Sequence, residues 1–287
     1  MDAITPPMDA DQAAPDDRPS LERAQGAIRL AVGPGRLRGT TALKTAFQQG
    51  SFKVRFPSRF GNAGVEAVLL NTAGGLTDGD RFTVEAEAGP ASALTLTTQA
   101  AERVYRSRGD VAYLDVELRA GPDATLLWLP QETIFYDRGR VRRSLTAEMA
   151  GSARILLCEI LVLGRTAHGE TVREGTVSDR WRIRRDGRLV YADDLRLNGD
   201  IQAMAGGSAT LAGARAFASL VSVAPDAETQ LDAVRAVLDR HDIHSGASAW
   251  DGLLAVRAVA SDAARLRAAV VELLSPLAGT VPRVWSI

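Results

Sequence analysis

Four stretches of the chain gather side-chain oxygens at spacings that could hold a cation, hand one on, or transfer a proton. The first is NTAGGLTDGD over residues 71–80, where three glycines are surrounded by Asn71, Thr72, Thr77, Asp78 and Asp80. Glycine lets a backbone take positive φ or approach a neighbour closely, and a plain turn needs only one or two such residues. The second is LTTQAAERVYRS over 96–107, in which Thr97, Thr98 and Gln99 end an apolar run and a basic, aromatic segment follows. In the third, WLPQETIFYD over 128–137, Pro130 ends a strand and presents Gln131 and Glu132 among large apolar groups. The fourth begins at Glu159, which interrupts the apolar run 155–163, and continues as LGRTAHGE over 163–170.

Glu159 carries the sharpest physical argument. Strand alternation places it on one face with Leu157 and Leu161, pointing into an apolar layer. A buried ionised carboxylate is costly unless paired, hydrated or bound to a cation. Arg165 is a candidate partner; the other solution is a hydrated passage lined by Asp and Glu.

The familiar catalytic templates fail. Gly33, Gly35 and Gly39 have the wrong spacing for a dinucleotide loop, and neither a GxxxxGK[ST] loop nor a GxSxG elbow is present. Cys158 lies inside an apolar strand, where a thiol is inert packing. His168 and Glu170 have the H-x-E spacing of zinc deaminases but lack the cysteine pair. His241 and His244, three apart, could share a metal or simply occupy a solvated helix end.

Elements that could position these clusters are mostly strands. From Ala27 to about Val223, short apolar or alternating runs recur between Gly, Asp-Gly and Pro punctuation, without an obvious repeat period. Asp186-Gly187 reads as a hairpin turn. The run 155–163, apolar on both faces, implies a strand buried between two layers. Beyond Pro225 the period becomes helical: Asp226–Arg240 carries Leu231, Val234, Val237 and Leu238, and Asp262–Pro276 carries Leu266, Val270, Leu273 and Leu274. Asp226 and Ser261 stand where helix N-caps belong. The expected fold class is therefore mainly β: a two-layered, β-helix-like or sandwich arrangement of many short strands with two α-helices near the C-terminus.

Composition narrows the class of function. Thirty-four basic and 35 acidic residues give a net charge of −1, so no bulk field favours nucleic acid or anionic membrane. Near-neutrality also leaves an exposed apolar face prone to association. Cys158 alone forms no internal disulfide and fits a reducing compartment. Residues 1–20 hold four prolines and five aspartates, which implies a disordered acidic tail rather than a signal peptide. No run approaches the roughly 20 apolar residues of a membrane span, so a cytoplasmic protein is expected. The division is a tail over 1–20 and one domain over 21–287, its β part about 27–224 and its helix-containing part about 225–287.

Taken in order, NTAGGLTDGD, TTQAAERVYRS, WLPQETIFYD, LGRTAHGE and the terminal PRVW closely resemble the motifs of the urease accessory protein family UreD, called UreH in some organisms. The resemblance runs from about Ala27 to the C-terminus. Asp78 departs from it, standing where the family form GGLTGGD has glycine, as does Tyr136 before Asp137. The resemblance implies a two-layered, β-helix-like fold with two helices and a non-catalytic scaffold for urease maturation. It implies partners too: UreF, which recruits the nickel-carrying GTPase UreG, and apo-urease (UreABC), with nickel passing through an internal tunnel.

Residue chemistry suits such a conduit. Nickel(II) is held strongly by thiolate and imidazole, whereas Asp, Glu, Thr and Gln oxygens are weaker ligands fit for transient hops. The expectation is no tightly bound cofactor and a transient nickel path through Asp80, Glu132, Asp137, Glu159 and Glu170, with Thr98 and Gln99 lining it. Leu231, Val234, Leu238 and Trp285 are the expected partner contacts. A carboxylate-dependent hydrolase using Glu132 with Asp137 or Glu170, and a scaffold with internal ion pairs and no nickel path, are the alternatives.

Overall fold

The computed structural model describes residues 23–57, 64–279 and 281–286, so the expected tail over 1–20 lies outside the described residues. β1 (Gln25–Pro34) and β2 (Thr41–Gly50) pair as an antiparallel hairpin, and β3 (Phe52–Arg55) pairs antiparallel with β4 (Val65–Asn71). From β4 the chain winds back and forth between two sheets. β5 (Arg81–Ala88), β8 (Ala112–Ala120), β11 (Arg140–Met149) and β13 (Glu174–Arg185) stack in parallel in one sheet. In the other, β4, β6 (Ala93–Thr98), β9 (Thr125–Leu129) and β12 (Arg154–Leu163) do the same. Short strands β7 (Glu102–Val104) and β10 (Thr133–Phe135) bridge one corner of the winding, pairing in parallel with each other and, through β10, with β12. The expected mainly β, two-layered, helix-like arrangement is what the molecule adopts.

Each coil contributes one strand to each sheet. Val65 pairs with Leu94, Leu94 with Leu126 and Leu126 with Ile155, so successive coils advance by 29, 32 and 29 residues. A repeat therefore exists where none was legible, because insertions at the corners change its period. The four oxygen-rich motifs all fall at the same corner, where the chain leaves one sheet for the other.

β14 (Arg188–Asp200) returns antiparallel on β13 through the turn at Asp186 and Gly187, both with positive φ, as the Asp-Gly pair requires. A short helix α1 (Ile201–Gly206), absent from the sequence reading, follows. β15 (Ala216–Val223), β16 (His244–Trp250) and β17 (Leu253–Ala260) extend the second sheet antiparallel beyond β12. Between them lie α2 (Leu231–Leu238) and, after β17, α3 (Ala263–Ala278). No described helix is long and apolar enough to cross a membrane.

Two apolar cores result. Ile28, Phe82, Leu94, Leu126, Ile155 and Trp181 fill the space between the sheets. Leu156, Cys158 and Ile160 face the other way, meeting Val234, Leu238, Leu266, Val270 and Trp285 under the helices. β12 is thus covered on both faces, as its unbroken apolar run implies.

Several expectations at the helical end are corrected here. Asp226 does not cap a helix through its side chain: a 3-10 turn intervenes, and its carboxylate pairs with Arg154. α3 is capped by Asp262, which accepts from the Ala264 N–H at 2.7 Å, rather than by Ser261. The residues expected as partner contacts, Leu231, Val234, Leu238 and Trp285, also make internal contacts. Val234, Leu238 and Trp285 are buried in the second core, and Leu231 packs against it half-exposed. Trp285 also donates its indole N–H to the Leu129 carbonyl at 3.1 Å and lies 5.0 Å beneath the Arg267 guanidinium. An indole so placed adds packing, a hydrogen bond and a cation–π contact. Trp285→Ala is expected to cost about 3–5 kcal/mol, read as a lower urea midpoint; an unchanged midpoint with loss of partner binding would favour the surface role.

Candidate functional site

The shared corner is built by carboxylates that bind backbone. Asp80 accepts from the Thr77 N–H and, across the chain, the Ala24 N–H, both at 2.8 Å, and is almost wholly buried. Asp137 accepts from the Arg173 and Glu174 N–H groups at 2.7 and 3.1 Å. Glu170 takes the Asp137 N–H and is clamped by the Arg165 guanidinium at 2.8 Å. Burial alone would raise Glu170, but Arg165 and these N–H groups together hold it below the ordinary carboxylate value. Glu132 meets Arg267 of α3 at 2.8 Å, and the same guanidinium reaches Gln131 and the Trp285 carbonyl. Asp137 and Glu170 fix one coil's corner to the next, Asp80 ties its corner to the chain just before β1, and Glu132 ties its own to α3.

Asp78, where the chain leaves the family pattern, has a similar task. It is buried and accepts the Ser107 hydroxyl and, at 2.8 Å, the Arg108 N–H. Burial pushes its pKa up, yet Ser107, Arg108 and the nearby charge of Arg23 outweigh this, and the net shift is downward. Gly75 is required for a steric reason: a Cβ there would meet the Tyr105 ring at 2.4 Å.

Behind the corner lies a largely apolar cavity with several polar groups in its wall. It encloses about 280 Å3 and is lined by Asn71, Thr98, Gln99, Glu102, Gln131 and Thr133 and floored by Trp128, Arg143 and Glu159, with apolar walls from Phe52, Leu69 and Leu76. Of the residues expected to form a path, Thr98, Gln99 and Glu159 meet here, while Asp80, Asp137 and Glu170 stand outside it at the corners and Glu132 faces α3. Gln131 is 5% exposed, and its Nε2 finds no partner among the described residues. A buried amide without a partner is rare, and a cavity wall is where water or a ligand would meet it.

Glu159 is paired by Arg143, not by Arg165. The Arg143 Nη1 lies 2.7 Å from Glu159 and 2.9 Å from the Thr133 hydroxyl, its Nη2 binds Asp179, and Trp128 donates its indole N–H to Glu159 at 3.0 Å. All three charged groups are buried. Register explains how they meet. Phe82, Leu114, Arg143 and Asp179 pair in succession across the first sheet, so one interior column changes from apolar to charged in its last two coils. Burial raises Glu159 despite Arg143 and Trp128, while the two carboxylates keep Arg143 protonated. Glu102, whose carboxylate accepts from Asn71 Nδ2 at 3.1 Å, is also raised by burial.

On its far side the triad walls a water-sized hollow shared with Asp193, Ser219 and Phe217. Asp193 binds Arg257 near the open edge of the sheets, where Arg257, Tyr191 and Trp250 line a shallow surface depression. Polar groups thus run from the corner cavity, through Arg143 and Glu159, to the opposite edge. Elsewhere His241 is held by Glu272 at 2.6 Å, and no described group of three or more His, Cys, Asp or Glu residues has the arrangement of a metal site. Burial pushes the Cys158 thiol well up.

Glu102, Arg143 and Asp179 were missed in the sequence reading. Arg143 shares strand parity with Val141 and Leu145, and Asp179 with Val177 and Trp181, so the argument applied to Glu159 would have found both.

Fold and site together define a solenoid-like β protein whose interior cavity carries carboxylate, amide and guanidinium groups in its wall. The UreD urease accessory protein family model matches residues 24–286. A relative named urease accessory protein UreD, from Methylobacterium sp. (strain 4-46), is 49% identical over 274 residues, covering 93% of this chain and 96% of its own length. Another of that name, from Xanthobacter autotrophicus, is 44% identical over 281 residues, covering 98% and 96%. The chain belongs to the UreD family of urease accessory proteins.

Two outcomes follow from the buried charges. Arg143→Leu leaves Glu159 and Asp179 uncompensated and is expected to cost about 3–5 kcal/mol by urea unfolding, with much of the loss recovered only when both carboxylates are also replaced, in Arg143→Leu/Glu159→Leu/Asp179→Leu. Asp78 is lowered on folding, so its stabilisation is complete above the unfolded value near 4 and disappears as pH falls through the folded one. Asp78→Asn should lose about 2 kcal/mol at pH 7 and flatten the acid limb of stability against pH; an unaltered acid limb would contradict the assignment.

Proposed function

We propose that this chain is a non-catalytic, cytoplasmic maturation factor that bridges apo-urease to a UreF–UreG complex and passes nickel through its interior toward urease. The observation carrying this reading is the corner cavity. Its polar side carries the Glu102 and Glu159 carboxylates with Thr98 and Asn71, beside the Arg103 and Arg143 guanidinium groups, and neither thiolate nor imidazole. A route of such ligands binds nickel(II) weakly enough to release it. The line of polar groups through Arg143, Glu159, Ser219 and Asp193 to the far edge supports a second mouth. Nickel is cargo in this reading, and no tightly bound cofactor is assigned. The carboxylates at the corners, Asp80, Asp137 and Glu170, serve by fixing the walls.

A hydrolase would need two carboxylates converging on one open site. Glu132, Asp137 and Glu170 are instead engaged by Arg267, by backbone N–H groups and by Arg165. A scaffold without a nickel path is the remaining competitor, and it separates in one experiment. Urease matured with Glu102→Gln/Glu159→Gln should contain at least tenfold less nickel, while the variant still co-purifies with UreF and urease. Full nickel content would leave only the scaffold.

A further inference from the structure

The near-zero net charge conceals a segregation. Residues 1–22 carry Asp2, Asp9, Asp11, Asp16, Asp17 and Glu22 against Arg18, leaving 33 basic and 29 acidic residues in 23–287. Part of that positive surplus collects in one place. A cleft of about 500 Å3 beside the stacked corners is lined by Arg108, Arg138, Arg140 and Arg173, faced by Glu174 and Asp200. Glu174 lies 3.7 Å from Arg138, and Asp200 is engaged by the Ala203 N–H as the cap of α1. Four guanidinium groups thus meet two carboxylates, a surplus of two positive charges. Arg140 is oriented by donating to the Gly109 carbonyl at 2.8 Å, while the Arg108 and Arg173 side chains are exposed. Guanidinium forks at this density match carboxylates, which they bind bidentately.

The acidic segment joins the described chain at the wall of this cleft. The Arg23 guanidinium stands against the 77–80 turn, where a Cβ on Gly79 would lie 3.6 Å from its Nε. Asp78 of that turn holds the Arg108 N–H at 2.8 Å. The six residues from Asp17 to Glu22 can span up to about 20 Å. Tethering also gives such a segment an effective concentration of order millimolar.

We propose that the arginine cleft is a carboxylate-binding site whose occupant is the chain's own acidic segment, residues 1–22. The inference rests on charge and connectivity and is independent of the nickel reading.

The test uses the full chain and a fluorescent peptide copying residues 1–22. The unaltered protein should bind the peptide weakly, because its own segment competes. A full-length Asp2→Asn/Asp9→Asn/Asp11→Asn/Asp16→Asn/Asp17→Asn variant should bind at least tenfold tighter, and the affinity should fall steeply with salt. Adding Arg108→Ser/Arg173→Ser to that variant should abolish binding without shifting its melting temperature, since both side chains are exposed. Equal affinity for the unaltered and Asn proteins would overturn self-occupancy. Binding that survives the arginine substitutions would overturn the site. Polyglutamate binding equally to the unaltered and Asn proteins would mean a cleft open to an external acidic partner, and would likewise overturn the proposal.

Discussion

The interior depends on one guanidinium shared between two sheets. Arg143 reaches from the first sheet to Glu159 on the second while holding Asp179 on its own. Without it, two carboxylates would face each other in an apolar layer, and the last coils would not close on their neighbours. The triad lines the cavity on one side and the small hollow on the other. Such a triad is poor stabilising material compared with packed leucine. Its charged groups stand between the corner cavity and the hollow beyond it.

The corners solve a different problem. A solenoid must turn its chain at every coil, and each turn leaves backbone N–H groups that β pairing does not satisfy. Asp80, Asp137 and Glu170 take those groups, and Arg165 and Arg267 tie the carboxylates to neighbouring segments. That is why the motifs look rich in chemistry: repeated acid, amide and glycine at intervals of about thirty residues mark stacked corners. Walls fixed in this way are also what a cavity immediately behind them requires.

Sequence periodicity revealed the strand-rich body, the double-sided burial of the 155–163 run and the two later helices, because each is local. Pairing was not legible. Glu159 was recognised as a buried charge, yet its partner Arg143 lies sixteen residues upstream on the opposite sheet, and Arg165 was nearer only along the chain. The apolar stripes of α2 and α3 were visible, but whether the sheet or a partner covers them is a tertiary question, and Leu156 and Ile160 answer it. Asp78 looked anomalous because its acceptors' donors, Ser107 and Arg108, lie one coil away.

The most direct test of a nickel-conducting interior is to see the ion there. Crystals of the protein soaked in nickel(II) and measured on either side of the nickel absorption edge should show anomalous density in the cavity between Glu102 and Glu159, absent in the doubly amidated variant. Density confined to surface sites such as His241 and Glu272, with the cavity filled only by water, would contradict the account.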